Sequence, residues 1–178
     1  MAMTLITTNT HTGDSDATSD FTSGIDSTYK LYIFKWYDVN PATDNVDFTF
    51  QANVVDASGY NETITSSSFR AYHTEADATL LGYRAGSDQA EGTGYQVIQY
   101  GQGNGGDESS AGELFLFNPA STTYVKHFYA RSSGYYYGDQ INDIYTGGYF
   151  NVTGAIDDIQ FKMSSGNFNG TISMYGVG

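Results

Sequence analysis

A period-two alternation of apolar and polar residues constrains this chain more than any other feature. Val46, Phe48, Phe50, Ala52 and Val54 alternate with Asp47, Thr49, Gln51 and Asn53. Successive strand side chains point to opposite sides, so the pattern predicts a strand with one buried and one wet face. Ile159, Phe161 and Met163 alternate with Gln160 and Lys162, and Ile172 and Met174 with Thr171 and Ser173. Between these two stretches the segment Ser164 to Gly170 ends in Asn169-Gly170, a turn signal, so the pair is expected as an antiparallel hairpin with a long loop. Other segments are apolar on both sides: Tyr29–Val39, Glu113–Phe117 and, more mildly, Tyr95–Tyr100 and Tyr124–Tyr129. Such runs suit central strands covered on both faces, or strands whose outer face meets another chain. The one helix-like patch is Thr74–Leu81, and Gly82 closes it within about two turns.

Turn punctuation separates these runs, at Asn40 to Asn45, Ala57-Ser58-Gly59, Gly101 to Gly106 and Asn118 to Ser121. The pattern gives about ten strands and no fixed-period repeat. The fold class expected is therefore all-β, an antiparallel two-sheet sandwich. A jelly roll is the first choice, and another Greek-key sandwich or a barrel are the alternatives. One domain should span residues 1–178, in line with roughly 100–200 residues per domain. Residues 1–24 are expected as a polar N-terminal segment with a short first strand.

Composition narrows the function. The chain has 7 Lys+Arg against 20 Asp+Glu, a formal net charge of −13, and no cysteine. Disulfides, thiolate chemistry and cysteine-ligated metals are excluded. General nucleic-acid binding is disfavoured, because phosphate affinity is mostly Lys/Arg counterion release. No apolar run approaches the roughly 18 residues of a membrane-spanning helix. Met1 is followed by no basic region and no long apolar run, so no signal peptide is expected, and synthesis in a cytoplasm is. The Asn-x-Thr triplets at Asn61, Asn151 and Asn169 then carry no meaning.

Each chemical motif has a plainer reading. Gly101-Gln102-Gly103-Asn104-Gly105-Gly106 fits a Gly-x-Gly-x-x-Gly pattern, but Asp107-Glu108 and another strand follow where a dinucleotide site needs a helix N-terminus. It is read as a flexible turn. Asp14, Asp16, Thr18 and Asp20 place oxygens at alternate positions, yet Ser19 and Ile25 stand where a calcium loop requires Gly and Glu. A solvated acidic loop is expected there, with a looser calcium site as the alternative. His11, His73 and His127 are too far apart for a metal set, and His127 is expected as a hydrogen-bonded structural residue. Asp157 and Asp158 would face opposite ways on an extended strand, so no catalytic dyad is read. No cofactor, metal or catalytic residue is assigned. The Tyr135-Tyr136-Tyr137 run is the most unusual local feature. Tyrosine suits sugar stacking or a protein interface, and rings packed on neighbouring strands are the equal alternative.

Several stretches together resemble small virion structural proteins of tailed, often marine, bacteriophages. Phe21-Thr22-Ser23-Gly24-Ile25 leading to Thr28-Tyr29-Lys30-Leu31-Tyr32 resembles their entry into a long strand. Ile156 to Val177, with Ser165-Gly166-Asn167-Phe168 and a closing Tyr175-Gly176-Val177, is similar to their C-terminal hairpin. Asn40 to Asp44 and Ser121 to His127 are similar to versions from marine phages. The resemblance implies a non-enzymatic capsid decoration, tail-fibre or appendage subunit on the virion, a jelly roll, other virion proteins as partners, and a homotrimer. A receptor- or carbohydrate-binding module recognising a host surface glycan is the alternative function, with Tyr135, Tyr136 and Tyr137 as its candidates. A polysaccharide-cleaving enzyme ranks last, since no acid/base constellation is visible. Two-sided apolar strands fit surface that is buried only on association.

Overall fold

The structure, a computed structural model, describes residues 2–178. It contains twelve strands: β1 (Met3–Asp16), β2 (Thr18–Phe21), β3 (Leu31–Pro41), β4 (Val46–Val54), β5 (Ile64–Thr74), β6 (Thr79–Tyr83), β7 (Gln96–Gln102), β8 (Ser110–Phe117), β9 (Lys126–Tyr136), β10 (Gln140–Phe150), β11 (Ile156–Met163) and β12 (Phe168–Val177). All pairings are antiparallel, and no helix of the described residues is long and apolar enough to cross a membrane. The expected all-β antiparallel class is what forms. In place of two separate sheets, one continuous sheet curls into a nearly closed, barrel-like shape.

One wall is the run β6-β5-β10-β9-β8-β3-β12-β1 and the other is β7-β4-β11-β2. They join through a single ladder pair, Gln102 with Tyr136. At the opposite seam Asn9 Nδ2 donates to Ser19 Oγ (3.1 Å) and to the Asp20 carbonyl (2.9 Å), so side chains span where the β1–β2 ladder does not. β1 is the longest strand, where a short one was expected. Its Thr-rich sequence pairs along β12 as an antiparallel ladder, with side-chain hydroxyls such as Thr8 and Ser173 (2.9 Å) adding to it and Ile6 packing on the core.

The core is aromatic and lies between the walls. Phe161 of β11 stacks on Phe48 of β4 (5.7 Å) and meets Phe34 of β3 (5.5 Å), while Phe50 meets Phe128 of β9 edge-on (5.1 Å). The expected β11–β12 hairpin does not form. β11 pairs with β2 and β4, β12 pairs with β1 and β3, and Ser164–Asn167 crosses from wall to wall. Both strands turn a period-two apolar face inward, and that pattern is the same for neighbours in a ladder and for strands facing one another across a core. Gly170 is no turn residue. It lies at a bulge in β12 at φ 131°, where a Cβ would come within 2.8 Å of the Val39 backbone.

β4 also departs from expectation, because its polar face is dry. Gln51 is fully buried, and its Nε2 donates to the carbonyls of Glu62 (3.0 Å), Thr93 (3.3 Å) and Gly94 (2.9 Å). Connections distant in sequence fold over that face and satisfy it. Thr74–Leu81 forms no helix. Thr74 anchors a tight turn, its amide and hydroxyl both engaging Ala78, and β6 begins at Thr79.

Candidate binding and assembly surfaces

The three consecutive tyrosines part company at the end of β9. Tyr136 turns inward, stacked on Tyr100 (5.7 Å) and tilted against Tyr137 (4.4 Å). Burial, with the two neighbouring phenols, holds its hydroxyl well above the usual tyrosine range. Gly101 makes that placement possible, since at φ 59° a Cβ there would come within 2.4 Å of the Tyr136 ring. Tyr136 is thus a packing residue. Arg84 lies over the Tyr100 ring at 3.7 Å and closes the stack from the β6–β7 connection.

Tyr135 alone opens onto a cleft. The tips of the β5–β6 and β9–β10 hairpins and the start of β8 enclose about 750 Å³, with His73, Glu75, Asp107, Ser109, Ser133 and Tyr135 along it. The Tyr135 hydroxyl reaches Glu75 Oε1 and Asp139 Oδ1, each at 3.3 Å. Desolvation first, and then these two carboxylates, push it up to about 12. Below pH ~10 it is a neutral donor in both folded and unfolded chains. Its contribution to stability is complete there and is lost as pH rises from the unfolded value toward about 12. In an alkaline titration followed by tyrosinate absorbance, the step removed by Tyr135→Phe is expected near about 12. Glu75→Gln with Asp139→Asn should move it only part of the way down, since desolvation is the larger cause. A Tyr135 step at the ordinary value would contradict this geometry.

The remaining sequence candidates are structural. Asp14 to Asp20 runs through the irregular end of β1 into β2 rather than a separate loop, and Asp14 and Asp20 are solvated as expected. Asp14 is held by Asn169 and Asn167, and Asp16 Oδ2 accepts from His11 Nδ1 at 3.0 Å. Ile25 is a core residue. Among the described residues no group of three or more His, Asp or Glu is placed to hold a metal ion. His127 is not enclosed in hydrogen bonds as expected. It stands exposed on the outer face, edge-on to Tyr149 at 5.8 Å. A bulge between Ile156 and Asp158 breaks strict alternation, so Asp157 and Asp158 are both half-buried. Asp157 is held above the usual carboxylate range by burial, then by Asp158 and Asp56. Gly101–Gly106 leads into β8 with no helix, and Glu108 closes the turn by accepting the Gly105 N–H at 2.7 Å.

Sequence reasoning missed β6. Among the described residues it pairs with β5 alone, and it exposes Leu81 (75%), Tyr83 (63%) and Leu80 (43%). Its signal was present as Leu80-Leu81-Gly82-Tyr83, but the run is too short for periodicity to separate strand from helix. Compared with known proteins, the chain matches no family model, no curated protein and no solved structure.

Proposed function

We propose that this chain is a non-enzymatic assembly subunit of the virion-surface kind its sequence resembles, a capsid decoration or tail/fibre-associated protein that works by binding other copies and other virion proteins. The observation that carries the reading is the β6 edge. An unpaired strand presents free backbone N–H and C=O groups, and soluble proteins ordinarily blunt such edges with charge, proline or a bulge. Thr79–Tyr83 has none of these and adds two exposed leucines and a tyrosine. A second chain laid along it would satisfy the backbone and cover the side chains. The net charge of −13 keeps assembled particles mutually repelling. The jelly-roll assignment and the homotrimer belong to this proposal, supported by two walls packed over one aromatic core and by the resemblance.

The test is solution mass at micromolar concentration for the wild type and Leu81→Lys. The expected result is a three-copy assembly for the wild type and a monomer for the variant, with unchanged circular dichroism. A monomeric wild type would sink the homotrimer. Equal incorporation of both forms into particles would sink edge pairing. The second reading, a module binding host surface glycan, is favoured by the Tyr135 cleft, which sets an aromatic ring beside carboxylate acceptors.

A further inference from the structure

Adjacent glycines in the middle of β10 behave differently. Gly148 points inward, where a Cβ would come within 2.6 Å of the Thr65 carbonyl and 2.9 Å of Phe128, so the fold requires glycine there. Gly147 points outward, has no left-handed φ, and its added Cβ would meet only Tyr129 Cβ at 3.9 Å. It pairs regularly with Tyr129 of β9 and Ser67 of β5. Nothing in the backbone explains its lack of a side chain, although glycine in a strand interior weakens the strand. In strands such glycines mark places where a ligand or another backbone comes close.

The gap has built walls. Tyr129 stacks on Phe115 (4.5 Å, 18°) on one side, and Tyr145 stacks on Phe69 (4.9 Å, 4°) on the other. Phe69, Tyr129, Tyr145 and Gly147 line a groove of about 380 Å³, within the size range of small-ligand sites, and Phe115 backs Tyr129 from behind. Each stack leaves ring surface open to a ligand, with Phe69 and Tyr129 both exposed. At the rim, Lys35 Nζ meets Glu113 Oε2 and Arg131 meets Asp143 Oδ2, both at 3.1 Å. The rim is charge-balanced and offers donors and acceptors side by side. A charged ligand would find no unpaired opposite charge there. A neutral ring with an apolar face and hydroxyls around its edge fits both the walls and the rim.

We propose that this groove binds a neutral hexopyranose residue of a glycan, its C–H face against the Tyr129 ring and its edge over Gly147. This goes beyond the glycan-binding reading at the Tyr135 cleft, as a separate sugar site on the outer sheet face. It does not depend on the assembly reading, since edge pairing at β6 leaves the face open.

The probes are cellohexaose, maltohexaose and mannohexaose, with polygalacturonate as the acidic control, titrated calorimetrically into the full chain up to about 10 mM. Binding of a neutral oligomer is expected, weakened about tenfold or more by Gly147→Val, which fills the gap, and less by Gly147→Ala. Tyr135→Ala should leave it unchanged. Circular dichroism confirms that each variant folds, and the alanine form keeps the comparison valid should valine disturb the strand. Loss of binding with Tyr135→Ala but not with Gly147→Val would overturn this site while keeping glycan binding. No binding by any neutral probe, or preference for polygalacturonate, would overturn the ligand class. A drop in solution mass caused by Gly147→Val would make the occupant a second copy of this chain, and would overturn the proposal.

Discussion

Phe161→Ala is expected to remove about 3–5 kcal/mol of folding stability, a large share of the roughly 5–15 kcal/mol typical of a domain. Phe161 is fully buried. Its ring centroid lies 6.0 Å from Phe21, 5.5 Å from Phe34, 6.4 Å from Trp36, 5.7 Å from Phe48 and 6.1 Å from Phe50. Those rings come from β2, β3 and β4, so this one side chain touches both walls. Truncation loses the transfer free energy of the ring and leaves a cavity. The walls cannot close it without moving the ladders, because interiors are packed at crystal-like density. Phe161→Leu keeps part of the volume and should cost less than Phe161→Ala. Tyr124→Ala, at a side chain 70% exposed, should stay within about 0.5 kcal/mol. Urea unfolding midpoints at constant slope measure all three. A cost for Phe161→Ala similar to that of Tyr124→Ala would mean that the two walls are not clamped through this ring.

The same ring shows what was legible in the sequence. Ile159, Phe161 and Met163 read as one buried strand face, and all three are buried. Their partner strands were not legible, because alternation states which way a side chain points and not which strand lies alongside. A hairpin and a wall-to-wall crossing therefore share one pattern at β11 and β12. The dryness of Gln51 was hidden for a related reason, since its acceptors at Glu62, Thr93 and Gly94 come from other parts of the chain. At the candidate site the tyrosine run drew attention, but period-two geometry divides neighbours between faces, and only Tyr135 lines the cleft. The three rings that line the outer-face groove lie on β5, β9 and β10, with Phe115 of β8 behind one of them. Their assembly depends on register, and Gly147-Gly148 in β10 has the look of turn punctuation.

Register also decides how the two proposed activities share one molecule. β6 offers backbone groups in the plane of the sheet, whereas the Gly147 groove offers ring faces perpendicular to it. A partner strand added at β6 extends the sheet by one inter-strand spacing, about 4.8 Å, and covers neither Tyr129 nor Tyr145. An assembly made through the edge would therefore present several copies of the groove on a common surface. Weak single-site sugar affinities would gain by multivalency where spacing allows simultaneous contact.

Lys126→Ala is expected to cost about 2–4 kcal/mol, the second-largest effect. Lys126 opens β9 and is wholly enclosed. Its Nζ donates to the carbonyl of Val152 at 3.1 Å and to that of Gly154, which fastens the β10–β11 connection over one end of the core. Alanine leaves both carbonyls unpaired and the space of the stem empty. The charge itself opposes burial: desolvation lowers the Lys126 pKa, and attraction from Glu62 only partly offsets it. Below its folded pKa the ammonium is present in both states and its burial penalty is felt in full. Between that value and the unfolded one near 10.5, the unfolded chain binds more protons, so stability rises with pH. Above it the neutral amine still donates to the carbonyls without the penalty. Lys126→Met keeps the stem but cannot donate, so the stability difference between wild type and Lys126→Met should widen as pH climbs toward 10.5. The tyrosines whose hydroxyls are raised, Tyr60 and Tyr95 among them, lose stability above pH ~10 in both proteins and cancel in the difference. Unfolding midpoints measured at successive alkaline pH values check this. A difference that stays flat or narrows would place the Lys126 ammonium in water, and would remove it as the fastening of the β10–β11 connection.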